Sequence, residues 1–330
     1  MFPLIPNTFG IEARCRRLVT FDSEDSLKAE LAVLDPAEPY IIVGQGSNLL
    51  PVGDFQGVVL QSAIKGMHVI AGKNEIFVRC GSGEAWDDVS AFCVSQGLYG
   101  TENLALIPGD VGASAVQNIG AYGVEAKDII HEVEAVEVAT GRTYTFSNAD
   151  CQYSYRHSRF KDEWKNRFVI TYVTYRLSNS FHPLLDYGNI HRALDERGIG
   201  QPTAQQLRDT IIAIRREKLP DPRELGNGGS FFMNPIISRE RYLALKEHHP
   251  LIPHYDVDDS HVKVPAAWLI EQCGWKGKRL GNAGVYERQP LVLVNHGGAT
   301  GKEIMNLCEL IQHDVAETFG ITILPEVNII

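Results

Sequence analysis

Leu104-Ala-Leu-Ile-Pro-Gly-Asp-Val-Gly-Ala-Ser-Ala-Val-Gln-Asn-Ile-Gly-Ala-Tyr-Gly-Val-Glu125 carries four glycines, Gly109, Gly112, Gly120 and Gly123, with small residues at Ala113, Ser114, Ala115 and Ala121. Side chains this small let a backbone approach a ligand closely, and glycine reaches the positive φ values that point successive N–H groups into one concavity. Such a nest suits a phosphate or diphosphate without needing a lysine. Taken alone, the stretch is as compatible with a tightly wound connection as with a ligand site. A second run of the same character, Gly44-Gln45-Gly46-Ser47-Asn48-Leu49, lies upstream and lowers the weight of a bare connection, although it lacks the third glycine of a dinucleotide-binding fingerprint.

Outward from these two loops, the composition sets bounds. A chain of 330 residues, 44% hydrophobic and 22% charged, has room for two or three domains with their own cores. The net charge of −10 argues against a nucleic-acid backbone or an anionic membrane surface as partner. Any anionic ligand must be held by local groups. The six cysteines are scattered with no metal-ligand spacing and read as reduced thiols. No apolar run suits a signal peptide or a bilayer span, so a cytoplasmic protein is expected.

The periodicities predict a helix over Glu24–Leu34, strands at Tyr40–Val43, Gly57–Leu60, Met67–Ile70 and Ile76–Arg79, and a helix over Ala85–Gln96. Val133–Val138 and Thr143–Phe146 read as a hairpin around Thr140-Gly141, and Phe168–Leu177 alternates as a half-buried strand does. Thr203 with Gln206 boxes the start of a helix that Lys218-Leu219-Pro220-Asp221-Pro222 halts, and this double proline marks a domain boundary. Asn227-Gly228-Gly229-Ser230 is expected as a flexible loop. Pro265–Cys273 and Lys302–Phe319 are expected as helices, Leu291–Val294, Ile321–Leu324 and Val327–Ile330 as strands.

Two candidate motifs are decoys. Gly297-Gly298-Ala299-Thr300-Gly301-Lys302-Glu303 is one residue short of a Walker A loop, and Glu303 stands where Mg²⁺ needs a hydroxyl. It reads as a plain strand-to-helix turn. His248-His249 precedes a proline in a polar stretch and reads as surface. Three polar residues remain in unusual contexts. Ser230 follows two glycines and precedes Phe231-Phe232, where its hydroxyl serves either a dry pocket or its own turn. Arg156 sits among aromatics that would hold its planar fork for a carboxylate, or it forms an exposed ion pair. Glu326 is flanked by apolar segments, where an unpartnered carboxylate costs several kcal/mol. Residue chemistry alone leads to an enzyme with a nucleotide cofactor, a carboxylate-bearing substrate and a serine as proton donor.

In combination, Val43-Gly44-Gln45-Gly46-Ser47-Asn48, Ile107-Pro108-Gly109 with Gln117-Asn118-Ile119-Gly120-Ala121-Tyr122-Gly123, Tyr155-Arg156-His157-Ser158, Lys218-Leu219-Pro220-Asp221-Pro222 and Gly229-Ser230-Phe231-Phe232 resemble the UDP-N-acetylenolpyruvoylglucosamine reductase family, also called UDP-N-acetylmuramate dehydrogenase. The resemblance spans almost the whole chain, and Asp186-Tyr187-Gly188-Asn189 is similar to the tyrosine-bearing loop of its type I subgroup. It implies an α+β fold, with a two-part FAD-binding module of the vanillyl-alcohol-oxidase type and a C-terminal α+β substrate-binding domain. The implied division is 1–66, rejoined by 326–330, then 67–218, then 219–325.

The resemblance also implies non-covalent FAD, NADPH as reductant, and UDP-N-acetylglucosamine enolpyruvate as the small-molecule substrate of a monomeric enzyme of peptidoglycan precursor synthesis. Residue by residue, Ser230 would protonate C2, while Arg156 and Glu326 would stabilise the enolate. Gly44, Gln45, Gly46, Ser47, Asn48, Ile107, Pro108, Gly109, Gly112, Ala113, Gln117, Asn118, Gly120, Ala121, Tyr122, Gly123 and Arg215 would contact the cofactor. Tyr155, Tyr187, Lys218, Asn234, Tyr255 and Gln289 would hold the UDP-sugar. The chain departs from the family pattern at Ala113, where a small hydroxyl residue is common, and at Met233 and Asn328, where a lysine and an arginine are frequent. A flavin oxidase using dioxygen and a catalytically silent nucleotide-sugar binder are the competing functions.

Overall fold

In the computed structural model of the chain, which describes residues 2–72 and 75–330, alternating apolar side chains lay down the strands that the glycine-rich stretches join. The chain divides into two compact units. The first comprises residues up to Pro6, Cys15–Gln45 and Phe55–Arg215; the second comprises Asn7–Arg14, Gly46–Asp54 and Arg216–Ile330. One crossing falls inside the Gly44–Asn48 turn and another inside the Ala204–Lys218 helix.

In the first unit a five-stranded antiparallel sheet runs in the order Thr143–Ser147, Ile130–Glu137, Phe168–Leu177, Ile76–Gly81, Met67–Ala71. The expected hairpin forms one edge, with Thr143 opposite Val136 and Phe146 opposite Val133. The central strand, Phe168–Leu177, is covered on both faces rather than one. A bulge between Ile170 and Tyr172 shifts its alternation. Phe168, Ile170, Val173 and Tyr175 therefore share one core with Val78, Trp86, Val111 and Ala115, while Val169 and Val136 join Phe21, Leu27 and Leu60 in the other. A parallel sheet of Cys15–Phe21, Phe55–Ser62 and Tyr40–Val43, with the helix Glu24–Ala32, closes the second core. Each fully buried side chain of this size contributes about 1.5–3 kcal/mol. Val111 and Ala115 seat the short helix Val111–Gln117 on the first core, which fixes the glycine turns at its two ends.

In the second unit a four-stranded antiparallel sheet has the order Gly226–Ser230, Val292–Asn295, Ala283–Val285, Arg279–Leu280. The helix Gly301–Phe319 buries Ile304, Leu307, Ile311, Val315 and Phe319 on one stripe. Its start carries the expected capping box of Thr300 and Glu303, and Gly320 ends it at φ +60; such a cap stabilises by about 1 kcal/mol. The turn before it is the plain connection expected. A three-stranded sheet orders Ile236–Ser238, His261–Lys263 and Tyr255–Asp256.

Two expectations fail in this unit. Asn227-Gly228-Gly229-Ser230 is strand, not flexible loop, because its neighbours leave room for nothing larger than hydrogen. A β-carbon on Gly226 would lie 2.2 Å from the Phe9 carbonyl oxygen, and one on Gly228 would lie 2.5 Å from the Phe9 ring. Asn227 N–H donates to the Thr8 carbonyl at 3.0 Å, and Thr8 Oγ1 donates to the Asn227 carbonyl at 2.6 Å. Ile321–Leu324 is irregular. Ile321 and Ile323 are buried, and of the two expected final strands it is the second that pairs, Asn328–Ile329 lying parallel to Leu49–Leu50.

His248 is exposed, and His249 packs on the Phe319 ring at 4.8 Å. Among the described residues no group of three or more His, Cys, Asp or Glu is placed to hold a metal ion. The six cysteines are free, five of them buried. No helix of the described residues is long and apolar enough to cross a membrane.

Candidate active site

The first unit holds Gly44, Gln45 and the cofactor candidates from Ile107 to Gly123, together with Tyr155, Arg156, Tyr187 and Arg215. The approach to Gly109 is clamped at Leu106, which adopts φ +56. Its N–H donates to Asp87 Oδ1 at 2.6 Å, and its carbonyl accepts from Arg215 Nε at 3.3 Å. Arg208, nearly buried, pairs with the same Asp87 oxygen at 2.6 Å. A residue-scale strain at Leu106 is thus held from both sides, and it delivers Ile107-Pro108-Gly109 to the helix start.

Several candidates also carry framework hydrogen bonds. Gly112 N–H is committed to the Ser82 carbonyl at 2.9 Å. Asn118 is buried at φ +49; its Nδ2 donates to Glu125 Oε2 at 3.1 Å and to the Ser154 carbonyl at 2.8 Å, and its Oδ1 accepts from Lys127 N–H at 2.9 Å. Gln117 Oε1 accepts from Lys161 Nζ at 2.8 Å. Gly120–Ala121 and Val124–Glu125 form a miniature hairpin whose tip, Tyr122-Gly123, has φ +49 and +81, the conformation that a two-residue hairpin demands. The Tyr187 side chain lies against Gly123, its Cβ 3.4 Å from where a β-carbon on that glycine would sit.

Arg156 is bound into this framework by the backbone. At φ +56, it donates from Nη2 to the Gly120 carbonyl at 2.8 Å, with its guanidinium carbon 5.6 Å from the Tyr155 ring centroid. Burial lowers the pKa of Arg215; Tyr122 and Asp87 oppose that fall, and the nearby charge of Arg156 adds to it. Burial raises the Tyr122 hydroxyl, and Arg215 pulls it back. Two guanidinium groups that sense each other's charge favour an anion beside them.

The second unit holds Gly46, Ser47, Asn48, Lys218, Ser230, Asn234, Tyr255, Gln289 and Glu326. It brings Ser230, Glu326 and Asn48 together. Phe231, the residue after Ser230, accepts the Glu326 N–H on its carbonyl at 2.7 Å, Phe232 bridges Pro325, and Asn48 Nδ2 donates to the Glu326 carbonyl at 3.3 Å. Among the described residues the Ser230 hydroxyl has no protein partner, so the reading of Ser230 as a turn serine bonded to its own backbone does not hold. Gln289 is joined to this group through Leu291, whose N–H it receives on Oε1 at 3.4 Å and whose carbonyl accepts Phe231 N–H at 2.7 Å. Asn234 Oδ1 accepts from Ala266 N–H at 2.9 Å. Tyr255 is 47% exposed and stands across from Lys263 in its sheet, and Lys218 ends its helix in solvent.

The residues present suit a dinucleotide. Among the described residues, the N–H groups of Ala113, Tyr122 and Gly123 in the first unit, and those of Gly46, Ser47 and Asn48 in the second, meet no protein acceptor. Each of these turns, taken by itself, offers open backbone donors of the kind that a diphosphate takes. Asp110 was missed in the sequence. It is the only carboxylate between Leu104 and Val124, and an acid set among small neutral residues is the signal that would have found it.

Comparison with known proteins agrees with this chemistry. A family profile described as FAD binding domain matches residues 16–147, and one described as UDP-N-acetylenolpyruvoylglucosamine reductase, C-terminal domain, matches residues 221–330. A UDP-N-acetylenolpyruvoylglucosamine reductase of Bacteroides fragilis is 48% identical over 98% of this chain and 97% of its own. One of Porphyromonas gingivalis is 48% identical over 98% of this chain and 96% of its own. The crystal structure of UDP-N-acetylenolpyruvylglucosamine reductase from Thermus caldophilus, at 21% identity, shares the fold with a TM-score of 0.67, covering 98% of this chain and 95% of that one. The α+β fold class, with an FAD-binding module followed by the family's C-terminal domain, stands. With FAD as its cofactor, the chain belongs to the UDP-N-acetylenolpyruvoylglucosamine reductase family of oxidoreductases.

Proposed function

We propose that this chain reduces UDP-N-acetylglucosamine enolpyruvate to UDP-N-acetylmuramate, with NADPH as reductant, Ser230 as proton donor, and Arg156 and Glu326 as stabilisers of the enolate. When bound, FAD would supply the two-electron chemistry that links NADPH oxidation to hydride addition at C3 of the enolpyruvyl group. Ser230 then delivers a proton to C2, so the C2–C3 double bond is saturated and NADPH is oxidised.

The observation that carries this reading is the unpartnered hydroxyl of Ser230, one residue from the carbonyl that accepts the Glu326 N–H at 2.7 Å. A serine is a weak acid and is useful only toward something as basic as an enolate carbon. Addition at C3 places negative charge on C2 and its carboxylate, and a fixed cationic fork such as Arg156 favours that charge as it develops. Its bond to the Gly120 carbonyl, 2.8 Å long, pre-orients the fork. Glu326 is fixed through its backbone, its N–H on the Phe231 carbonyl and its own carbonyl on Asn48 Nδ2. The open backbone amides would hold the diphosphate of FAD, and Tyr155, Tyr187, Lys218, Asn234, Tyr255 and Gln289 would hold the UDP-sugar. The module would divide at 1–66, 67–218 and 219–325, with residues 326–330 rejoining the first part. The pairing of Asn328–Ile329 with Leu49–Leu50 supports that return.

The test is anaerobic mixing of flavin-loaded protein with NADPH and then with the enolpyruvyl substrate, followed by flavin absorbance. Ser230→Ala should leave reduction by NADPH at the wild-type rate and slow reoxidation by substrate by about 10²–10⁴-fold. Reoxidation at the wild-type rate would remove Ser230 from the chemistry.

A further inference from the structure

Asp110 occupies the N-cap position of the helix Val111–Gln117, yet its carboxylate makes no capping bond. It is turned toward the other glycine turn. Gln45 Nε2 donates to its Oδ1 at 2.6 Å. A β-carbon on Gly44 would lie 2.4 Å from its Oδ2 and 3.7 Å from the Ala113 methyl. Gln61 Nε2 holds the Gly44 carbonyl at 2.8 Å, so the turn cannot swing away freely. All of these residues belong to the first unit, and Asp110 itself is only 5% exposed.

The charged groups around it are few. Lys65 is the cation that acts on it, and that ammonium is shared with the Gly83 carbonyl at 2.5 Å and Glu84 Oε2 at 3.4 Å. Glu84 contributes its backbone carbonyl to Val111 N–H at 2.9 Å, while its other carboxylate oxygen takes the Gly66 N–H at 2.6 Å. Burial pushes the Asp110 carboxyl up to about 6, against the hydrogen bonds from Gln45 and the charge of Lys65.

We propose that Asp110 is a positioning residue that laces the Gly44-Gln45 turn to the Gly109–Gly112 turn, and that the charge on its carboxylate sets how tightly these turns hold the diphosphate of FAD. The proposal rests on the reading that these turns are the diphosphate site. An ionised carboxylate set among donors that the diphosphate also needs repels that anion, whereas the neutral acid does not. The sign follows: flavin binds more tightly on the acid side of the Asp110 titration, and binding above it draws a proton onto the carboxyl group. The diester phosphates of FAD do not themselves titrate near neutrality.

The test uses the full chain freed of flavin and titrated with FAD by fluorescence quenching, from about pH 5 to about pH 8. The wild-type dissociation constant should rise by about tenfold across that range. Asp110→Asn keeps an oxygen for Gln45 Nε2 but carries no charge, so its profile should be flat and its affinity at the alkaline end higher than wild type. A wild-type slope in Asp110→Asn overturns the proposal. Calorimetry in two buffers of different ionisation enthalpy needs no variant: FAD binding at about pH 7 should take up a proton fraction, and no uptake also overturns it. Ala113→Glu keeps the two readings apart. An added carboxylate beside the exposed Ala113 should weaken FAD binding at every pH if the turns hold the diphosphate, and unchanged affinity there would sink the site reading itself.

Discussion

Two glycine-rich regions of this molecule use the same residue for opposite reasons. At the tip of the Gly120–Glu125 hairpin, Gly123 is needed for its backbone angle, φ +81, and the space around it accommodates a methyl group at ordinary contact distance from Tyr187. In the strand Gly226–Ser230, Gly226 has no such angle; what excludes a side chain is the Phe9 carbonyl oxygen 2.2 Å from the position that a β-carbon would take. The first kind of glycine leaves amides open to a ligand. The second lets one backbone lie against another and builds the strand from whose end Ser230 projects. Ligand chemistry and close packing thus produce similar strings of letters, and only the neighbours tell them apart.

Alanine substitutions can break this contrast in order of size. Gly226→Ala should cost the most, about 3 kcal/mol or more, because backbone rather than a side chain must move; a thermal midpoint within error of wild type would show that the strand yields easily. Gly123→Ala should cost about 1–2 kcal/mol, the penalty of an L-residue in a left-handed conformation, together with weakened flavin binding; unfolding in urea and an FAD titration measure the two parts. Gly229→Ala, at φ +71 with no atom within 4 Å of the added carbon, should cost only about 1 kcal/mol. If it proves as damaging as Gly226→Ala, then angle rather than space governs the strand.

This contrast also marks how far the sequence could be read. The hairpin at Thr140-Gly141, the capped helix Gly301–Phe319 and the two open turns were legible because their signals are local: alternation, a capping pair and runs of small residues. The strand at Asn227–Ser230 was not, because its partners Thr8 and Phe9 lie more than two hundred residues away. The half-buried reading of Phe168–Leu177 failed for a related reason, since the sheet that covers its second face comes from Cys15–Phe21 and Phe55–Ser62. Ser230, Arg156 and Glu326, the residues proposed for the chemistry, stood out in the sequence as residues out of place in their surroundings. Their supports did not: the clamp on Leu106 from Asp87 and Arg215, and the reach of Asp110 to Gln45, join positions whose spacing follows no local pattern.

The parallel pairing of Asn328–Ile329 with Leu49–Leu50 carries a consequence for biosynthesis. Asn328 N–H donates to the Asn48 carbonyl across 280 residues of chain, so the segment with Gly46, Ser47 and Asn48 emerges early from the ribosome and waits for a partner translated after the whole of the first unit. At ordinary elongation rates the delay is on the order of tens of seconds. During that interval the first unit can mature on the nascent chain, while the Gly46 segment has its bond from Thr8 N–H but not yet its strand partner Asn328–Ile329.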